Sequence, residues 1–418
     1  RPGSVSVSWL GWQIDTSVPV VLLVLLTLLI LLGVTMRVAR WFAAIPRRWR
    51  EGRAEKQRRT GYMALIDGLS AVAAGDGAKA RRNAERADSL LRDPPLTMLL
   101  SAQAAQLAGD ASSAKRHFTQ MLDRKETAFL GLRGLLTQAL KEGDRAAELD
   151  YARRAHAINP QAEWLTATLF DLEAREGQWG AAEATLAAGQ KAGAFSGGEA
   201  RRKKAVLLLE RARAAGESSD GLKLAYQAFQ ADPGFPAAAA HYARALMARG
   251  KAKKATAALI DCWRVDTHPD LAQAWMELLP DAGDPLARVR HAEKLLACRP
   301  DAAAGHLLLG EVALDASLWG QARTHLTAAA ETKPSARAYR LLARLEEAEG
   351  TDPLAIRDWL AKAAEAPGEP VWSCRQCGTA APSWSALCPA CGGFDSLAWV
   401  DPAASRLPAV MTNEATAE

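Results

Sequence analysis

The sequence predicts an all-α protein, in which a transmembrane helix precedes a solenoid of about nine helix pairs and a small metal-binding module ends the chain. Three observations carry this prediction: an uncharged apolar run near the N-terminus, small residues that recur roughly every 34 positions, and two Cys-x-x-Cys motifs near the end. Ala and Leu dominate, whereas Val, Ile and Thr are sparse outside the apolar run. This composition favours helix over sheet.

Residues 18–36 are the predicted transmembrane helix. These 19 residues carry no charge. At 1.5 Å per residue they make about 28 Å of helix, close to the ~30 Å hydrocarbon core of a bilayer. The length argues against a buried core helix or the apolar region of a signal peptide, and no small-residue cleavage site follows directly. We therefore expect a true membrane span.

The charges beside the span predict its orientation. Residues 1–17, the expected external stub, hold one Arg and one Asp, whereas residues 37–59 hold nine basic and two acidic residues. Basic residues close to a span stay in the cytoplasm. The rest of the chain is therefore expected at the cytoplasmic face of a membrane, where the basic segment can contact anionic lipid. The chain begins with Arg1, so we expect sequence upstream, and with it an unknown number of further spans.

The overall charge and the cysteines narrow the classes of function. The net charge of +5 is modest and follows largely from the basic segment beside the span, so no nucleic-acid partner is predicted. Six cysteines in a cytoplasmic chain indicate metal ligands or core residues and not disulfides.

Residues 60–367 form the predicted solenoid. Small residues mark the turn inside each helix pair, and successive turns lie 33 or 34 residues apart, apart from one interval of 39. This period is typical of tetratricopeptide (TPR) repeats. The long interval contains a loop-like insertion at residues 192–198. The turn residues are Gly75, Gly109, Gly143, Gly177, Gly216, Gly250, Gly283, Ser317 and Gly350.

The repeat explains several residues that could otherwise suggest a catalytic or cofactor site. Cys262 and Cys298 fall on second helices and are predicted to pack in the core. Residues 75–80 match a loose dinucleotide-binding pattern, but they have the spacing of a repeat turn and do not follow a strand. We predict no catalytic residues and no enzyme. Instead, a concave repeat surface binds protein partners. Residues 201–204, Arg-Arg-Lys-Lys, could be a docking patch or a solvated helix start.

Residues 371–400 carry the strongest chemical signal. Cys374, Cys377, Cys388 and Cys391 can supply four thiolates to one tetrahedral ion. The glycine after each second cysteine, Gly378 and Gly392, permits the positive φ that such a turn needs. Four protein ligands leave no open position, so the site is expected to be structural.

Zinc is the predicted ion at these cysteines. A rubredoxin-like iron centre is its rival, and a redox dithiol and a haem-sensing Cys-Pro motif at Cys388 are further alternatives. The aromatic residues around the cysteines are expected to hold the module against the last repeat or to be exposed anchors for a partner. These aromatic residues are Trp372, Trp384, Phe394 and Trp399.

Residues 401–418, after the module, are expected to be a disordered tail.

The N-terminal half resembles the HemY family of proteobacterial inner-membrane TPR proteins. The resemblance rests on residues 9–12 (WLGW), 61–65 (GYMAL), 102–107 (AQAAQL) and 130–135 (LGLRGL). It covers roughly residues 1–190. The resemblance implies a bacterial inner-membrane protein with a role in late protohaem biosynthesis, as a scaffold for haem-pathway enzymes or as a carrier of haem or porphyrin.

The C-terminal module looks like the rubredoxin-type zinc ribbon that ends the LapB family. Members of that family are membrane-tethered TPR adaptors that present enzymes of lipopolysaccharide synthesis to a membrane protease. The resemblance therefore implies a second function, that of a proteolysis adaptor. The HemY resemblance is longer and more specific, and it favours the haem pathway.

Overall fold

The computed structural model describes residues 4–9, 12–91, 94–279, 283–350 and 353–401. The expected disordered tail lies almost wholly outside these described residues. The chain divides into two compact units, Arg1–Glu142 (unit 1) and Gly143–Glu418 (unit 2). Each unit is built from paired antiparallel helices, as the repeat predicts.

Unit 1 begins with a β-hairpin and a very long helix. Strands β1 and β2 pair antiparallel, with Ser4 opposite Ser17 and Trp9 opposite Trp12. Helix α1 then runs without a break for 56 residues. Within it, Val18–Val38 is long and apolar enough to cross a membrane, and none of this segment is buried against protein. The elements of unit 1 are β1 Ser4–Trp9, β2 Trp12–Ser17, α1 Val18–Ala73, α2 Gly77–Leu91, α3 Pro94–Leu107, α4 Ala111–Met121 and α5 Lys125–Glu142.

Helix α1 contains three segments that the sequence analysis treated separately: the span, the basic segment and the first helix of the first repeat. The strands of the hairpin lie within residues 1–17, the segment expected to be an external stub. A continuous helix of this kind couples the repeats directly to the apolar segment, because no flexible linker stands between them.

Close contact between the helices of a pair depends on small residues at fixed positions. Ala80, Ala84 and Ala87 of α2 are almost completely buried. Gly75 and Gly109 adopt positive φ at the turns, 74° and 72°. After the second turn, the Asp110 carboxylate accepts the Ser113 N–H at 3.0 Å and caps α4. Hydrogen bonds with Ser113 and Ser112 lower the pKa of Asp110 to about 2.

Unit 2 continues the helix pairs and adds a small sheet. Ser317 takes the place of glycine at one turn, with φ 57°. Its helices are α6 Arg145–Ile158, α7 Glu163–Arg175, α8 Trp179–Ala192, α9 Gly197–Ala215, α10 Ser219–Ala231, α11 Pro236–Met247, α12 Ala252–Val265, α13 Pro269–Glu277, α14 Pro285–Ala297, α15 Ala303–Asp315, α16 Trp319–Thr332, α17 Ala336–Glu349 and α18 Pro353–Glu365. Strands β3 Val371–Cys374, β4 Ala380–Ala381 and β5 Leu397–Val400 form an antiparallel sheet in the order β4-β3-β5.

The insertion at residues 192–198 is a tight connection and not a loose loop. Gly193 ends α8 in the left-handed conformation, with φ 85°. The Ser196 hydroxyl accepts the Glu199 N–H and caps α9. Between them, Phe195 is buried with its ring 5.5 Å from that of Phe170, edge to face. The extra residues therefore add an aromatic side chain to the core.

The two isolated cysteines lie where the repeat predicts. Cys262 is completely buried in α12, and burial raises the pKa of its thiol to about 12. The half-buried Cys298 thiol donates to the Lys294 carbonyl within its own helix. The Cys262 thiol therefore lacks the exposure and the lowered pKa that a reactive nucleophile needs.

A substitution at Gly134 tests the close helix contact in unit 1. A methyl group there would overlap the buried ring of Phe118. Overpacking of this kind costs about 1–3 kcal/mol, which exceeds the gain of up to ~1 kcal/mol in helix propensity. We expect Gly134→Ala to lower the thermal unfolding temperature, followed by circular dichroism in detergent. The matched control is Gly180→Ala, where nothing lies within 4 Å of the added methyl. Equal stability of the two variants would contradict the packing argument.

Candidate metal centre and its docking surface

The four predicted ligand cysteines come together at one point. Their sulfur atoms all lie within 4.8 Å of one another. The Sγ atoms of Cys374 and Cys391 are 3.7 Å apart, as are those of Cys377 and Cys388. A tetrahedron with metal–sulfur bonds of about 2.3 Å has edges of about 3.8 Å, so these distances fit a tetrahedral metal ion.

Two equivalent turns place the sulfur atoms. In the first, the Cys374 N–H donates to the Thr379 carbonyl and the Gly378 N–H donates to the Cys374 carbonyl, both at 2.9 Å. In the second turn, the Cys388 N–H donates to the Gly393 carbonyl and the Gly392 N–H donates to the Cys388 carbonyl, again at 2.9 Å. As predicted, both turn glycines have positive φ, 73° at Gly378 and 70° at Gly392.

The first cysteine of each turn is buried and the second is exposed. Burial opposes ionisation of Cys374. However, hydrogen bonds with the Ser396 hydroxyl and with the N–H groups of Cys377 and Gln376 outweigh it and lower the pKa to about 6. By contrast, desolvation raises the pKa of Cys391 to about 12. A divalent ion would hold all four groups as thiolates.

The aromatic rings of the module contact residues of helices in the middle of the solenoid. The expectation that they hold the module against the last repeat is therefore wrong for the part of the chain that the structure describes. Phe394 lies edge to face against Phe170 of α7, with ring centroids 5.2 Å apart. Trp384 meets Phe235, the residue before α11, at 4.8 Å. These two phenylalanines offer buried apolar surface, whereas α18 in the last repeat has no buried residue.

The residue before α13 completes this aromatic contact. His268 is buried between two indoles of the module, with ring centroids 5.1 Å from Trp372 and 4.8 Å from Trp399. Its Nδ1 accepts the Asp270 N–H at 3.1 Å. Burial lowers the pKa of His268, so the ring is neutral at pH 7. The module thus lies across the starts of α9, α11 and α13.

Charged residues fix the position of the module. Arg202 of α9 donates two hydrogen bonds to the Asp395 carboxylate, at 2.9 and 3.0 Å. Its guanidinium also lies 3.6 Å from the centre of the Phe235 ring. The neighbouring Lys203 places its ammonium over Phe170 and Phe394, at 4.6 and 5.8 Å. Within the basic run at residues 201–204, Arg202 and Lys203 are therefore a docking patch for the chain's own module, whereas Arg201 and Lys204 are exposed.

Sequence reasoning missed Phe170, Phe235, His268 and Asp395 as members of this interface. Arg202 and Asp395 are 193 positions apart, and no local pattern connects them. The sequence feature that could have indicated this interface is the basic run at the start of α9, because an acidic residue elsewhere in the chain can neutralise its charge.

The fold and the site together define a membrane-anchored TPR protein that ends in a four-cysteine module. The "HemY protein N-terminus" family matches residues 3–109. The "Probable magnetosome protein Mms48" of Magnetospirillum gryphiswaldense is 31% identical over 401 residues, covering 95% of this chain and 88% of that protein. The chain therefore belongs to the family of Mms48, and it carries a HemY-type N-terminal region as the sequence analysis expected.

Solved TPR structures also resemble the chain. A tetratricopeptide repeat protein from Parabacteroides merdae is 14% identical, with 73% of this chain and 99% of that chain covered and a TM-score of 0.32. The TPR2AB domain of yeast Sti1 is 12% identical, with 75% and 99% covered and a TM-score of 0.31. At this level of similarity, neither structure bears on the function of this chain.

The ion pair between Arg202 and Asp395 can be tested by substitution. Because Asp395 is largely buried, Arg202→Gln leaves a carboxylate without its charged partner. Hydrogen bonds to charged groups contribute about 1.5–3 kcal/mol, and we expect docking of the module to weaken by that amount. Hydrogen–deuterium exchange should then rise in β3 and β5. Arg201→Gln, at the exposed neighbouring arginine, is the control and should leave exchange unchanged.

Cysteine substitutions test the metal centre. Metal analysis of the purified chain should find one ion per chain. Cys374→Ser or Cys388→Ser should abolish stoichiometric binding, because each removes one of four ligands. Cys298→Ser should bind as the wild type does. Loss of the ion in Cys298→Ser, with full metal content in Cys374→Ser and Cys388→Ser, would refute the assignment.

Metal removal should also affect the solenoid. A module of this size has too little core to fold without its ion. Chelation is therefore expected to uncover Phe170 and Phe235 and to increase exchange at the starts of α9 and α11. Helix α16, which lies outside the docking surface, is the internal reference. Unchanged protection of α9 and α11 after complete metal loss would show that docking does not need the ion.

Proposed function

We propose that the protein is a non-enzymatic adaptor, anchored in the bacterial inner membrane, that holds partner proteins on its repeats at the cytoplasmic face. The observation that carries this proposal is helix α1, which joins the exposed apolar segment Val18–Val38 to the first repeat without a linker. A partner bound to the repeats is then held near the membrane. The basic residues that follow the span support the cytoplasmic placement.

A structural zinc ion at the four cysteines is part of this proposal. Zinc suits a closed site with four thiolates, because it has no redox chemistry and no geometric preference beyond the ligand set. Its role is to fold the module, which in turn covers part of the repeat surface. The basic residues after the span can also contact anionic lipid.

Late haem-pathway enzymes are the first class of client that we propose. The HemY-type region at residues 3–109 supports them. Magnetosome proteins are the second class of client that we propose, because the name of the relative Mms48 associates it with the magnetosome. Both classes call for an anchored scaffold that gathers proteins at a membrane, so the proposed mechanism is the same for each.

Two alternatives remain from the sequence analysis. A LapB-like proteolysis adaptor is supported by the four-cysteine module. A haem or porphyrin carrier has less support. A partly open pocket beside the module, lined by His268, Leu307, Lys333 and Trp399 among others, has a volume of about 280 Å³. Ligand pockets usually measure ~300–1,000 Å³, and a porphyrin would need a value well inside that range.

Affinity purification of the full chain in mild detergent tests the proposal. Recovery of haem-pathway enzymes, in amounts that survive washing, is the expected result. Recovery of a membrane protease with envelope-lipid enzymes would instead support the proteolysis adaptor. A pigment with Soret absorbance in the purified chain would support the carrier. An intrinsic enzymatic turnover by the purified chain, lost on substitution of one of its own residues, would overturn the adaptor proposal.

A further inference from the structure

The β-hairpin that precedes the apolar segment is amphipathic. Its strands pair with Val5 opposite Thr16 and Ser6 opposite Asp15. Residues directly opposite each other in an antiparallel pair belong to the same face of the sheet, and successive residues alternate between the two faces. The positions of one face hold only polar residues, four of them serines. The positions of the other face, which we call the apolar face, are Val5, Val7, Trp9, Trp12, Ile14 and Thr16.

The apolar face is open to solvent on both strands of the described hairpin. Val7 of β1 is 52% exposed and Trp12 of β2 is 78% exposed. None of the apolar segment Val18–Val38 is buried, so the hairpin does not fold back against it. A two-stranded hairpin whose apolar face is uncovered is at best marginally stable in water. The hairpin therefore needs a surface on which to lay this face.

The place of the hairpin in the chain indicates that surface. Strand β2 ends at Ser17 and helix α1 begins at Val18, so no linker separates the hairpin from the apolar segment. Where that segment crosses a bilayer, its first residues lie at the boundary between hydrocarbon and headgroups. The hairpin thus starts at the interface between lipid and water. Continuity with the membrane anchor favours lipid as the partner of the apolar face.

The position of Trp12 favours a hairpin that lies along the membrane surface. Trp12 and Ser17 are five residues apart on β2, which corresponds to about 17 Å of extended chain. A hairpin that stood upright on the membrane would hold the exposed indole of Trp12 at that distance from the headgroups, in water. A hairpin that lies flat keeps the indole in the interface, where tryptophan is enriched. Asp15, on the polar face, then faces water.

The edges of the hairpin limit how deeply it enters the lipid. In the two-stranded sheet that the structure describes, each strand pairs with one neighbour, so the outer N–H and C=O groups need other partners. Such groups are costly in hydrocarbon, whereas water and headgroups satisfy them in the interface. The hairpin therefore belongs at the depth at which amphipathic helices lie on membranes.

We propose that the hairpin is a second membrane anchor, whose apolar face lies in the lipid interface on the side of the bilayer opposite the repeats. This inference rests on the membrane anchoring of the proposed function and names lipid as the partner of the apolar face. Helix α1 continues unbroken from Val18 to Ala73. A hairpin held flat on one surface therefore fixes the depth of α1, and with it the height of the first repeat above the other surface.

Thiol labelling of the full chain in lipid vesicles tests the proposal. Val7→Cys and Trp12→Cys place a thiol on the apolar face, and Ser6→Cys and Asp15→Cys are the matched controls on the polar face. Each chain is reconstituted in phosphatidylcholine vesicles, since residues 4–17 contain no Lys or Arg that would require anionic lipid. A polar maleimide is carried to both sides of the membrane by freezing and thawing. Mass spectrometry then measures the label at the introduced position.

The two faces should differ in their reaction with the maleimide. We expect the V7C and W12C chains to react at least about tenfold more slowly than the S6C and D15C chains, because their thiols are buried in lipid. In denaturant, all four should react at the same rate. The unsubstituted chain supplies a second measurement, because amide hydrogen exchange of the hairpin should be slow in vesicles only if its apolar face is covered.

Three outcomes would overturn the proposal: equal labelling of all four chains in vesicles, rapid amide exchange of the unsubstituted hairpin, or protection of V7C and W12C that disappears as the ratio of protein to lipid is lowered. The last outcome would assign the apolar face to a second copy of the chain. Flotation of the vesicles separates this test from the proposed function. A chain that does not float with the lipid contradicts membrane anchoring itself, whereas a floating chain with equal labelling contradicts the role of the hairpin alone.

Discussion

Close approach between paired helices is the constraint on which the rest of this structure depends. Two helices joined by a short turn can bury a shared core only where their facing residues are small. Ala80 and Ala114 in unit 1, and Ala182, Ala255 and Ala322 in unit 2, are completely buried at the same point of the repeat. Larger residues at these points would separate the helices and lose the contacts on either side.

The C-terminal module depends on a second constraint, which acts over long distances in sequence. Three short strands and a few aromatic residues do not make a core of their own. The module is stabilised by the solenoid, where Phe170, Phe235 and His268 receive its rings, and an ion held by the four cysteines would add to that stability. The bidentate pair between Arg202 and Asp395 sets the register of this contact. Metal binding, as proposed for the four cysteines, and docking of the module would therefore support one another.

The module covers only part of the repeat surface. In unit 2, it covers the starts of α9 and α11, whereas Trp164 of α7 is 44% exposed. In unit 1, Tyr62, Leu96 and Leu130 are exposed, and the same unit contains the apolar segment Val18–Val38 of α1. An adaptor built this way keeps one part of its repeat surface occupied and presents another.

The sequence by itself determined the helix pairs, the apolar span and the set of four cysteines. Each of these follows from a local pattern: the period of small residues, the length of an uncharged run, and the spacing of Cys-x-x-Cys with Gly378 and Gly392 after it. Local patterns report local structure, because they reflect backbone geometry over a few turns. Only the tertiary structure decided where the module docks, what Arg202 binds, and that the span and the first repeat share one helix. Those features depend on contacts between residues far apart in sequence, or on the absence of any interruption within α1, and no short-range pattern encodes them.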